Sequence, residues 1–159
     1  MAVGTIIEDK YPIFWSGCLV HTMKLLMHDI VKMKEHDYKW IGQLYKRGKH
    51  MIRFITNHSN AQHLFCSHSR LELLKIAKTW FASYYLTFKQ ILKVRETLTS
   101  MVSSESWQVP KDRATSIYER HDFQEVEDTV LDGQFWATVK YVLQFTKPIY
   151  NMIWFANTD

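Results

Sequence analysis

Two pairs of residues in this chain set a thiol and an imidazole at helical spacing. They are Cys18-x-x-His21 and His63-x-x-Cys66. Residues three apart on a helix are neighbours, so each pair would place a sulfur beside a ring nitrogen. Such a pair suits two metal ligands, or a nucleophile with its base. Cys18, His21, His63 and Cys66 together make a four-ligand set for zinc by arithmetic, at a spacing that is not diagnostic. A cysteine hydrolase has less behind it, because nothing around Cys18 resembles a nucleophile motif. The third reading is a buried thiol beside a hydrogen-bonded core imidazole.

Three other groupings carry charge or rings. Lys46, Arg47, Lys49 and Arg53, with Lys39 nearby, form the densest basic patch. They could contact phosphates, or form an ordinary solvated helix face. The aromatic run from Trp80 to Phe88 could stack on exposed bases, or fill a core. Asp122, Glu125, Glu127 and Asp128 could gather a metal ion, or sit in an exposed first turn where the helix dipole favours acids. No Gly-rich phosphate loop, HExxH pair or Ser/His/Asp arrangement accompanies them.

The elements that must position these residues are helices. Only five Gly and three Pro argue against many short strands and tight turns, and 47% hydrophobic residues can fill a sizeable core. Ser16 suits the N-cap of a first helix, whose core face is Leu19, Met23, Leu26, Ile30 and Met33. Asp37 suits the cap of a second helix over about 38–57, with Ile41, Leu44, Gly48, Met51, Ile52 and Ile55 inward. Residues 57–69 read as a polar, His-rich loop with a helical turn. Residues 71–102 form the longest periodic stretch, with a break near Thr79. Residues 103–121 lack apolar period and read as the main loop, anchored by Trp107. A short helix is expected from Asp122 to Leu131, and a last one from Gln134, kinked or restarted at Pro148. Ile13–Trp15 is the best strand candidate.

Net charge is +4, which permits a polyanionic partner without requiring one. Two cysteines fit a reducing compartment better than a disulfide framework. Glu8 and Asp9 spoil a secretory leader, and no run nears the roughly 20 apolar residues of a membrane span. A soluble intracellular protein is expected.

Read in order, these pieces resemble the middle of a plant hAT-type (Ac/Hobo/Tam3-like) transposase. The match starts at Ile13-Phe14-Trp15, Cys18-x-x-His21, Leu25 and Asp29-Ile30. It resembles the family's FW-x-x-C-x-x-H-x-x-x-L-x-x-x-DI stretch. It continues through Ile55-x-Asn57-His58, Thr79, Phe81-Ala82-Ser83, Leu86-Thr87, Ser104-Glu105-x-Trp107, Val130-Leu131-Asp132, Phe135-Trp136, Val139 and Pro148.

The resemblance implies a mainly α piece of a ribonuclease H-like enzyme. Residues 1–33 would be the end of the core, with the Cys18/His21 helix as support beside the catalytic centre. Residues 34–159 would belong to the helical insertion. It also implies a nuclear protein with DNA as partner, and Mg²⁺ or Mn²⁺ as the intact enzyme's cofactor. The family's three metal-binding carboxylates are expected before residue 1 and after residue 159. On that reading this chain has no cofactor or catalytic residue of its own and is inactive alone. One departure is Trp80, where the family usually has Arg, which points to relaxed constraint. Open alternatives are a domesticated DNA-binding or protein-interaction module, self-association included, and a zinc-stabilised helical protein.

Overall fold

A computed structural model describes residues 18–32, 39–73 and 83–156. Among the described residues there are eight α-helices and no strand. These are α1 (Leu19–Lys32), α2 (Lys39–Asn57), α3 (Ser59–His68), α4 (Ser83–Lys93), α5 (Arg95–Val102), α6 (Glu105–Arg113), α7 (Ile117–Leu131) and α8 (Gly133–Phe155). The mainly α expectation therefore holds. The strand candidate Ile13–Trp15, the caps Ser16 and Asp37, and the break at Thr79 with Trp80 lie outside the described residues.

The bundle is built around α2, which touches α1, α3, α4, α7 and α8. Its inward stripe is the expected one: Ile41, Leu44, Gly48, Met51, Ile52 and Ile55 are all buried. Phe88, Ile91, Leu98, Phe123, Phe135, Trp136 and Val139 complete the core from other helices. Tyr85 and Phe88 are thus core residues, and the aromatic run is not a free stacking surface at these two positions.

Gly48 packs against α4. A Cβ there would meet Ile91 Cδ1 at 3.3 Å and Phe88 Cε1 at 3.8 Å. Gly48→Ala gains about 1 kcal/mol of helix propensity but requires the Ile91 tip to give way. We expect it to be near neutral in urea unfolding. Gly48→Val adds methyl groups that the site cannot hold, and should cost about 1–2 kcal/mol net. A Gly48→Val protein as stable as the parent would show that α4 is not packed as described.

Several sequence expectations are corrected. The expected loop 103–121 holds all of α6 and the first turn of α7. Trp107 alone buries α6, and one anchor in nine residues leaves no period to detect. The expected loop 57–69 is mostly α3, which buries Ala61 and Phe65 and packs Leu64 partly against the core. The seventh helix starts at Ile117 rather than Asp122, because Ser116 caps it by accepting from the Tyr118 N–H at 3.1 Å. Leu26, assigned to the core face of α1, is exposed. Between α4 and α5 the chain breaks at Val94, yet Leu98 N–H still donates to the Val94 carbonyl at 2.9 Å. Of the kink or restart expected at Pro148, the restart does not occur: one helix runs through Pro148, whose ring lies on the exposed side.

The α7–α8 junction is a single residue, Asp132. Its Oδ1 accepts from the N–H groups of Gln134 (2.9 Å) and Phe135 (3.1 Å), capping α8. Trp136 closes the other side: its buried Nε1–H donates to the Val130 carbonyl at 2.7 Å. That carbonyl belongs to the last turn of α7, where helix carbonyls lack intrahelical partners. One short segment, Val130 to Trp136, therefore satisfies groups at both helix ends.

Candidate functional site

The expected thiol–imidazole site is not assembled. Cys18 and His21 open α1 and are exposed, so they are not a buried core pair. His63 and Cys66 are exposed on α3. Among the described residues α1 packs on α8 and α2, and has no contact with α3. The four residues therefore do not converge on one ion. His63 instead lines an open cleft of about 320 Å³ with Asn60, Ser106, Arg113 and Glu119.

The basic patch on α2 divides in two. At 100° per residue, Lys39, Lys46, Lys49 and Arg53 share a sector about 80° wide, and Arg47 lies about 80° beyond its edge. The structure agrees with this arithmetic. Lys39, Lys46 and Arg53 are exposed, and Lys49 is half-buried with its ammonium 5.8 Å above the Tyr45 ring. Arg47 turns toward the bundle. Its Nη1–H donates to Asp132 Oδ2 at 2.9 Å, and its guanidinium lies 5.1 Å over the Phe135 ring. It is a clamp on the α7–α8 junction, which corrects its placement among the free basic residues. That hydrogen bond is also the leading reason the Asp132 carboxyl is held below its ordinary range, with the Phe135 and Gln134 N–H groups acting in the same sense.

The flank of α2 facing α7 carries a feature that sequence reasoning missed. His50, Phe54 and His58 recur every four residues and stack ring on ring, with centroids 6.4 and 5.2 Å apart. Phe123 of α7 meets Phe54 and His58 edge-on at 4.8 and 4.9 Å. Opposite the two imidazoles lie carboxylates of α7. His58 Nε2 and Glu119 Oε1 are 2.8 Å apart, while His58 Nδ1 is buried without a partner. The arrangement suits the tautomer with the proton on Nε2, donating to Glu119 and leaving a bare lone pair on Nδ1. His50 Nε2 lies between Asp122 and Glu125, at 3.8 Å and 3.5 Å. The i, i+4, i+8 spacing of His50, Phe54 and His58 was available in the sequence. Glu119, Asp122 and Glu125 share one face only because the helix begins at Ile117, ahead of the Asp122 start that the sequence predicts.

The acids of α7 are consequently not a first-turn group. Asp122 to Asp128 sit in the middle and later turns of a helix that begins at Ile117. The dipole explanation therefore fails for them, and each has a specific neighbour instead. Glu127 Oε2 accepts from Lys111 at 2.8 Å and from the Trp107 indole at 3.2 Å. Asp128 accepts from Gln124 at 2.7 Å.

The chain matches no protein-family model, no curated protein and no solved structure. Among the described residues no helix is long and apolar enough to cross a membrane.

Proposed function

We propose that this chain is a helical piece of a hAT-like DNA transposase lineage that contacts DNA phosphates through the outward stripe of α2 and does not itself cut DNA. The observation that carries the contact is the sector holding Lys39, Lys46, Lys49 and Arg53, opposite the buried face of the central helix. Support for the lineage is the collinear order of the motifs from Phe14-Trp15 to Pro148, together with the helical architecture. Binding through such a stripe is electrostatic and insensitive to base sequence.

Three or four neutralised phosphates give an expected slope of about −3 in log K against log salt. Reversing Lys46, Lys49 and Arg53 to Glu should abolish binding in a fluorescence-anisotropy titration with duplex DNA, while the melting midpoint stays near the parent's. Arg47→Ala should do the opposite, lowering the midpoint and leaving DNA affinity within about threefold. A flat salt response, or affinity unchanged by the triple reversal, would remove DNA contact from consideration. The lineage has a separate check. Genomic DNA on both sides of the coding region should encode remnants of the segments that carry the family's three metal-binding carboxylates; flanks without them would count against it.

A further inference from the structure

Along α7 the acids find partners in turn, with one gap where the helix faces α2. Glu119 closes on His58, Glu127 on Lys111 and Trp107, and Asp128 on Gln124. Among the described residues, the group within ion-pair reach of Asp122 and Glu125 is His50. Its Nε2 is buried and makes no hydrogen bond. The spacings of 3.8 and 3.5 Å are too long for one. The helices are not held apart in general, because the same pair closes His58 on Glu119 at 2.8 Å.

The two nitrogen–oxygen spacings are within about half an ångström of what a shared cation requires. Two donors bound at about 2.1 Å to a tetrahedral ion lie ~3.4 Å apart. The three candidate ligand atoms here all fall within 4.8 Å of one another. Two carboxylates also converge on one ring nitrogen, an arrangement that a positive charge at its centre stabilises. The side chains are 33% (His50) and 44% (Asp122 and Glu125) exposed, so a fourth position faces solvent.

We propose that His50, Asp122 and Glu125 bind one first-row divalent cation of the zinc type, with water as fourth ligand, and that the ion clasps α2 to α7. One imidazole with two carboxylates fits Zn²⁺ or Co²⁺. It fits Mg²⁺ poorly, since that ion prefers an all-oxygen octahedral shell. The clasp joins positions 50 and 122, which are distant in sequence, so the ion stabilises the folded chain.

The test is calorimetric titration of the chelator-stripped full chain with Zn²⁺, repeated with Co²⁺ and Mg²⁺. One equivalent of Zn²⁺ should bind, with Mg²⁺ at least 100-fold weaker, and Zn²⁺ should raise the melting midpoint. His50→Gln and Asp122→Asn should each weaken Zn²⁺ at least tenfold and remove the midpoint shift. The double variant His63→Ala/Cys66→Ser should bind as the parent does. Zinc binding that survives His50→Gln and Asp122→Asn, binding lost only in the double variant, or no stoichiometric binding at all would each overturn the proposal. If His50→Gln fails to fold by circular dichroism, Asp122→Asn and Glu125→Gln decide, since both lie on the partly exposed side of α7. Parent-like affinity in both overturns it, and tenfold loss in both supports it.

Discussion

Trp107→Ala should lower the unfolding free energy by about 3–5 kcal/mol, the usual cost of emptying a large aromatic site in a core. Trp107 is fully buried although it belongs to a nine-residue helix with no other buried side chain. Its ring meets Phe123 at 5.0 Å and Phe54 at 6.3 Å, both edge-on, so it joins α6 to α7 and α2. The indole N–H also donates to Glu127, whose other donor is Lys111. Removing the indole leaves a cavity, and a mostly buried carboxylate with one donor fewer. Trp107→Phe keeps most of the ring contact and loses the hydrogen bond, so it should cost about 1–2 kcal/mol. Urea unfolding followed by circular dichroism reads both. A domain of this size has about 5–15 kcal/mol in total, so Trp107→Ala should remove a large share of it. A loss under about 1 kcal/mol would mean that α6 is not docked by this side chain.

The second large effect is expected at Asp132. Asp132→Ala removes the N-cap of the longest described helix and the partner of Arg47. The cap is worth about 1 kcal/mol. The Arg47 contact adds a charge-assisted hydrogen bond, discounted because both side chains are about a third exposed. The sum should be about 2 kcal/mol. Asp132→Asn retains a capping oxygen and should cost less than half of that.

The pH dependence follows from the direction of the shift. Arg47's hydrogen bond, then the backbone donors, lower the Asp132 pKa in the folded chain. A lowered carboxylate stabilises the fold fully above its unfolded value of about 3.9. That contribution is lost as pH falls through the lowered folded value. The parent should therefore lose stability more steeply below about pH 4 than Asp132→Asn does. Parallel acid limbs for the two proteins would refute the assignment.

Much of the fold was legible in the sequence because α2, α7 and α8 carry several apolar residues in helical register. Ile41 to Ile55 and Phe135 to Ile153 face the core as periodicity requires. Periodicity fails where a helix is held by one or two side chains, as α6 is by Trp107 and α3 by Phe65. The register of Glu119, Asp122 and Glu125 against α2 depends on a helix start at Ile117, which Ser116 sets and apolar period does not mark.

The pairs that suggested chemistry fared differently from the helices. A Cys-x-x-His spacing depends only on its own helix, and the sequence set Cys18 beside His21 and His63 beside Cys66 without help. Whether two such pairs meet depends on how α1 and α3 dock, and among the described residues both pairs are exposed on helices that do not touch. The same holds within the basic patch. Composition grouped Arg47 with Lys46, Lys49 and Arg53, but Asp132, at a junction 85 residues away, draws Arg47 into a hydrogen bond of its own. The sequence by itself determined the helical class, the buried stripe of α2 and the charge opposite it, because these need only local periodicity. Tertiary structure alone decided which polar side chains converge, and it chose His50 with Asp122 and Glu125 over the cysteines. Convergence depends on the docking of separate helices, which no spacing within one helix encodes.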